Sequence, residues 1–79
     1  MKDVQYIIYN NWALASDGLQ WILQRFTGSQ WRNLSFVRTQ RDILARCMRE
    51  KEMEPDHIDY FTARLPSTFD EWKTNAIRV

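Results

Sequence analysis

The sequence predicts a small α+β domain. An antiparallel three-stranded meander over about 4–16, 19–26 and 31–37 is followed by helices over about 40–53, 55–64 and 68–77, packed on one face of the sheet. Three observations lead there. Val4, Tyr6, Ile8, Trp12 and Leu14 share one parity in a front half rich in aromatic and β-branched residues, the period of a half-buried strand. Gly18 and Gly28 fall where that pattern must turn. From Thr39 onward apolar residues recur at helical spacing and are punctuated by Pro55 and Pro66.

The first strand offers a point of breakage at Asn10-Asn11. Asp17-Gly18 signals a two-residue type I′ turn, since both residues tolerate φ > 0. That register pairs Ser16 with Leu19, Leu14 with Trp21 and Trp12 with Leu23 on one face. Ala15 with Gln20, Ala13 with Ile22 and Asn11 with Gln24 then fall on the other. A one-residue slip would scramble the sorting. At the second turn Thr27 suits φ > 0 poorly, which favours a four-residue loop, Thr27 to Gln30, over a tight one. Leu23 then meets Leu34 and Trp21 meets Phe36 on the apolar face, while Phe26 opposes Trp31 on the other.

Thr39 as N-cap with Asp42 three residues on has the form of a capping box. Ile43, Leu44, Cys47 and Met48 make the apolar stripe of the first helix, with Arg41, Arg46 and Arg49 off it and Arg46–Glu50 as an i, i+4 pair. Glu54-Pro55 closes that helix and opens the next, because proline suits a first helical turn. Ile58, Phe61 and Leu65 line the second helix. Ser67 caps the third, with Asp70 and Glu71 in its first turn and Phe69, Trp72, Ala76 and Ile77 on one face.

At 79 residues the chain is one domain with one core, and a core this small depends on a few large side chains. Four tryptophans and four phenylalanines supply them, and 44% apolar residues separate the chain from disordered sequences. Cys47 is the only cysteine, which excludes an internal disulfide and points to a reducing, cytoplasmic compartment. No signal-peptide pattern follows Met1, and no apolar stretch approaches a membrane span.

The search for chemistry finds little. His57 and Cys47 lie on different helices, and a Cys–His nucleophile pair needs contact and a third orienting group. The plainer reading makes Cys47 a small core residue and His57 a solvent-facing one. Asp56, His57, Asp59 and Cys47 match no zinc or calcium spacing, and no glycine-rich loop is present to cradle a phosphate. A non-enzymatic domain without metal or cofactor is expected.

Charge is unevenly distributed. The formal net charge is +1, yet Arg25, Arg32, Arg38, Arg41, Arg46 and Arg49 face a single acid, Asp42, over 25–49, a net of +5. Glu50, Glu52, Glu54, Asp56 and Asp59 face only Lys51 over 50–59, a net of −4. The arginines, interleaved with Phe26, Trp31 and Phe36, have the residue types for a phosphate backbone and stacked bases. They serve equally as a solvated surface. The acids have the chemistry to occupy a basic groove in place of phosphates, or to solvate a helix end. On the sheet's second face Ile22, Phe26 and Trp31 stand beside Gln20, Gln24, Asn33 and Ser35, a polar-rimmed aromatic patch of the kind that anchors protein partners. The alternative is that Met1 to Tyr9 folds over that face.

Taken together, the runs Trp12 to Arg25, Ser35 to Arg38, Asp42 to Arg49 and Leu65 to Trp72 resemble short proteins of α-proteobacterial prophages. Among these the chain is similar to phage-encoded anti-CRISPR proteins acting on the type I-C system. The likeness covers most of the chain and rests on no single diagnostic motif. It implies a non-enzymatic protein of the bacterial host cytoplasm that binds a Cas protein of the type I Cascade surveillance complex and keeps target DNA from loading. Contact residues under this reading are Glu50, Glu52, Glu54, Asp56 and Asp59, or Trp31 with Arg25, Arg32 and Arg38. The alternative is a small prophage nucleic-acid-binding protein using its arginine-rich 25–49 region.

Overall fold

The computed structural model describes residues 4–77, with side chains from Gln5 to Thr74. Its elements run β1 (Val4–Tyr9), β2 (Trp12–Ser16), β3 (Trp21–Thr27), β4 (Gln30–Val37), α1 (Arg41–Glu50), α2 (Pro55–Thr62) and α3 (Phe69–Ile77). The sheet is antiparallel with strand order β1-β2-β3-β4. It has four strands rather than three, because the chain reverses at Asn10-Asn11. Asn10 takes φ 55° there, a left-handed conformation that asparagine adopts more readily than most residues. Met1 to Asp3 lie outside the described residues, but Val4 to Tyr9 form an edge strand in the plane of the sheet and do not fold over its face.

The first hairpin is displaced by two residues from the tight-turn register. Ser16 pairs with Trp21, Ala15 with Ile22, Leu14 with Leu23, Ala13 with Gln24 and Trp12 with Arg25, so 17–20 is a four-residue loop and Leu19 is exposed in it. Asp17 sets the loop: its carboxylate accepts the Leu19 N–H at 2.9 Å and the Gln20 amide at 3.1 Å. Ser16 Oγ accepts the Gly18 N–H at 3.0 Å, and Gly18 takes φ 92°. A shift of two preserves the parity of every side chain, so both faces keep their composition.

The second turn is the tight one. Thr27 pairs with Gln30 and Phe26 with Trp31, leaving Gly28, at φ 65°, to take the left-handed position that Thr27 resists. Arg25 opposes Arg32 and Gln24 opposes Asn33. The register then shifts, so that Leu23 pairs with Ser35, Ile22 with Phe36 and Trp21 with Val37. The β-bulge leaves Leu34 without a partner and reverses the facing of the strand residues beyond it. Val37, not Phe36, reaches the core at 3% exposure, and Phe36 is 55% exposed.

The core joins strand residues of one facing (Trp12, Leu14, Trp21, Leu23 and Val37) to Leu44, Met48, Met53, Ile58, Phe61, Leu65 and Phe69. Trp21 is fully buried and lies edge-on to Phe69, with ring centroids 5.5 Å apart, and to Trp72 at 6.1 Å. Each large side chain so buried contributes roughly 1.5–3 kcal/mol. In α1, Leu44 and Met48 are buried and Cys47 and Ala45 pack against the core. Ile43 departs from the expected stripe and is exposed, since Ala45 takes the inward position beside Leu44.

The helix caps also differ from expectation. Gln40 is the N-cap of α1 and makes no side-chain bond. Thr39 instead lends its carbonyl to Phe69 N–H at 2.8 Å, Ser67 lends its own to Arg41 N–H at 2.9 Å, and Gln40 bridges Thr68. The starts of α1 and α3 are thereby tied together. Thr68, rather than Ser67, caps α3: its Oγ accepts the Glu71 N–H at 3.2 Å and lies 3.4 Å from Glu71 Oε1. The first bond is one half of a capping box; in the other half the Thr68 hydroxyl, not its backbone N–H, meets the Glu71 carboxylate. Ala76 and Ile77 belong to α3, and their side chains lie outside the described ones.

Candidate binding surface

The second face of the sheet carries Gln5, Ile8, Ala13, Ala15, Ile22, Gln24, Phe26, Trp31, Asn33 and Phe36, as the three registers align them. None of these ten residues is charged, in a chain of which 27% is charged. The alanines of β2 are completely buried and form a shallow floor. Across that floor Gln5 Nε2 donates to Gln24 Oε1 at 2.8 Å, and Gln24 Nε2 donates to Asn33 Oδ1 at 2.8 Å. Three amides thus span the sheet from β1 to β4. Around them stand Ile8, 54% exposed, Phe36, and Phe26 at 39%, with Phe26 edge-on to half-buried Trp31 at 5.3 Å.

Trp31 and Phe26 therefore sit on this face as expected, with Ile22, Gln24 and Asn33. Ser35 does not, because the bulge turns it to the core side, and Gln20 belongs to the loop. Phe36 and Ile8 were missed as members. Phe36 depends on the bulge, which no residue type announces, and Ile8 on a second register shift in β1 between Gln5 and Ile7. The amide ladder had one legible signal, since Gln24 and Asn33 share a face in either register.

The arginines do not form one patch. Arg25 lays its guanidinium 4.7 Å from the ring centroid of Trp12, and Arg32 Nε donates to Thr27 Oγ1 at 2.8 Å. Directly opposed across the strands, the two side chains are held by different partners. Arg38 is exposed just beyond β4. Arg41, expected on a solvated face, is half-buried and donates to the Leu65 carbonyl at 2.9 Å. Arg46 and Glu50 do not close to ion-pair distance.

The acids are dispersed as well. Glu50, Glu52, Glu54, Asp56 and Asp59 are all exposed, but Glu52 and Glu54 line a cleft with Arg25, Asn10, Asn11, Trp12 and His57. Asp59 lines a groove between α1 and α2 with Arg41, Asp42 and Arg49. The charge blocks of the sequence thus interleave in space.

His57 is not solvent-facing. Its side chain is 19% exposed and lies edge-on to Tyr9 at 5.0 Å. Its Nε2 sits 3.1 Å from Asn10 Nδ2 and 3.8 Å from Glu54, and its Nδ1 is buried without a partner. Tyr9 in turn stacks on Tyr60 at 4.0 Å, and the Arg64 guanidinium covers Tyr60 at 3.6 Å. This column ties the β1–β2 turn to α2. Among the described residues, no three of His, Cys, Asp and Glu are grouped to hold a metal ion, and no helix is long and apolar enough to cross a membrane.

The chain matches no family model, no curated protein and no solved structure.

Proposed function

We propose that the chain is a non-enzymatic binding domain whose helices cover one face of the sheet and whose other face meets a protein partner. The observation that carries this reading is the uncharged second face, with Phe36 and Ile8 each more than half exposed. Interface centres are depleted of charge and enriched in aromatics, and a solvated sheet face ordinarily alternates to charged and polar residues.

The partner proposed on the sequence resemblance is a Cas protein of the type I-C Cascade complex, in the host cytoplasm, with the chain acting as an anti-CRISPR inhibitor of target-DNA recruitment. The interleaving of Glu52 and Glu54 with Arg25, and of Asp59 with Arg49, favours a block by occupation over imitation of a phosphate backbone. A phosphate mimic needs a surface of one sign.

The test is a gel shift of labelled double-stranded target DNA with purified type I-C Cascade as the chain is titrated in. The Cascade–DNA band is expected to disappear while DNA alone stays unshifted. An unchanged Cascade–DNA band would overturn the inhibitor reading. A shift of free DNA by the chain alone would transfer support to the arginine-rich region as a nucleic-acid site.

A further inference from the structure

The cleft between the β1–β2 turn and the α1–α2 connection holds charges of both signs that leave one another unpaired. Arg25 stands in it with Glu52 and Glu54. Among the described residues, neither carboxylate comes within ion-pair distance of Arg25 or of any other arginine or lysine. Each charge is set by a different local constraint. The guanidinium of Arg25 lies over Trp12 at 4.7 Å. Glu52 takes its place in the left-handed ending of α1, at φ 63°. Glu54 is the N-cap residue of α2 yet makes no capping bond, and its carboxylate instead approaches His57 Nε2 at 3.8 Å.

The walls of the cleft are fixed by backbone. The Asn11 carbonyl accepts the Phe26 N–H at 2.8 Å, which pins the β1–β2 turn against β3. Asn10 Nδ2 lies 3.1 Å from His57 Nε2, so the turn also meets α2 beside the cleft. Asn10 and Glu52 are the two residues other than glycine with positive φ among the described residues, and both line this cleft. Conformations that a Cβ disfavours gather at ligand clamps, where the surrounding structure holds them in place.

Size and charge define what fits. The volume is about 220 Å³, room for about seven waters at about 30 Å³ each, which is the scale of a single amino acid. A simple anion there meets two carboxylates, and a simple cation meets the guanidinium. A neutral ligand would take all three charges from water without pairing them. One guanidinium and two carboxylates sum to −1, with His57 counted as neutral. The complement is a molecule with one carboxylate and two cationic groups.

We propose that the cleft binds a basic α-amino acid, free or as the C-terminal residue of a peptide. Arg25 takes the carboxylate, for which a guanidinium offers paired N–H donors. Glu52 and Glu54 take the cationic side chain. Asn10 and Asn11 supply the neutral amides that border these charges, acceptors for the α-ammonium or a peptide N–H. Trp12 and Arg25 lie on the helix side of the sheet, so this site is separate from the uncharged face and independent of its partner.

Amide NMR spectra of the isotope-labelled chain, titrated at fixed ionic strength, test the proposal. The ligands are L-arginine, L-lysine, N-acetyl-L-arginine, agmatine, which lacks the carboxylate, and L-leucine, which lacks the side-chain cation. Arginine and lysine should give saturable shifts at Asn10, Asn11, Arg25 and Glu52, and none at Asp42 or Ala45 in the groove between α1 and α2. Agmatine and leucine should each bind at least about 10-fold more weakly, the scale of one lost charge-assisted bond. Arg25→Gln should weaken arginine binding by at least about 10-fold and leave it no better than agmatine. The double variant Glu52→Gln/Glu54→Gln should leave arginine no better than leucine, a change of preference that loss of folding does not produce. It carries the test alone should Arg25→Gln fail to fold, as judged by circular dichroism.

N-acetyl-L-arginine binding at least as strongly as arginine assigns the site to a peptide C-terminus. Weaker binding assigns it to the free amino acid, and both results uphold the proposal. It is overturned by the absence of saturable shifts with arginine and lysine, or by shifts centred outside the cleft. Agmatine and leucine binding as strongly as arginine would overturn it equally.

Discussion

Phe36 stands directly opposite Ile22 in the β3–β4 ladder and so shares the face of Ala13, Gln24 and Phe26 rather than that of Trp21. One extra residue in β4, Leu34, produces this. Without the bulge Phe36 would lie over Trp21 in the core and Val37 would be outside. The candidate surface thus owes its most exposed aromatic to a single register shift.

Phe36 and Phe61 should differ sharply in what replacing them costs the fold. Phe61 is fully buried, and Phe61→Ala is expected to cost about 3–5 kcal/mol. At roughly 4–8 °C per kcal/mol for a domain of this size, the melting temperature falls by well over 10 °C. Phe36→Gln removes an exposed ring and should stay within about 0.5 kcal/mol of the parent. Thermal melts by circular dichroism decide it. A comparable loss for Phe36→Gln would mean that the chain itself uses this face for stability.

The contrast shows which parts of the fold were legible. Facing along β2 and β3 was readable because it depends only on parity, and the two-residue displacement of the first hairpin left parity untouched. The fourth strand was half-legible: Asn10-Asn11 permits a left-handed turn but does not require one. The bulge at Leu34 was not legible, since either Phe36 or Val37 satisfies the core by hydrophobicity, and packing around Trp21 chooses between them. For the same reason the charge blocks misled. Sequence proximity grouped Glu50 to Asp59 together, whereas the α1–α2 connection sends Glu52 and Glu54 toward Arg25 and α2 carries Asp59 toward Arg49.

The cap of α3 gives a local test. Thr68 both accepts the Glu71 N–H and contacts its carboxylate, so Thr68→Ala is expected to cost about 1 kcal/mol. Ser67 contributes its backbone carbonyl alone to Arg41, and Ser67→Ala should be nearly neutral in urea unfolding. Equal losses at the two positions would contradict the assignment of Thr68 as the cap.

Asp17 links the first loop to pH. The Leu19 N–H and, after it, the Gln20 side chain hold its carboxyl below the ordinary value. Because the folded pKa is the lower one, its contribution is present above the unfolded value, about 3.9. That contribution is lost as pH falls through the folded value. Asp17→Asn keeps an acceptor for Leu19 but cannot titrate. It should flatten the fall in stability below about pH 4, the unfolded carboxylate value, in unfolding curves taken across that range. An unchanged acid limb would place the pH dependence elsewhere.

Glu52 is where folding and the candidate surfaces pull apart. At the end of α1 its N–H bonds to the Arg49 carbonyl at 3.0 Å, and the Met53 N–H bonds to the Met48 carbonyl at 3.0 Å. This is a Schellman ending with Glu52 at the position where glycine is usual. Its φ of 63° is left-handed, which costs a residue with a Cβ about 1–2 kcal/mol. Glycine relieves that strain but gives back roughly 0.4–1 kcal/mol through the freer unfolded chain. Glu52→Gly should therefore stabilise the fold by about 0.5–1 kcal/mol, seen as a melting temperature a few degrees higher. Glu52→Ala removes the same carboxylate from the cleft beside Arg25 while retaining the strain, so it separates charge from backbone. A gain for glycine alone locates the cost in the backbone. An equal gain for alanine would locate it in the carboxylate, crowded against Glu54 in the cleft they share with His57.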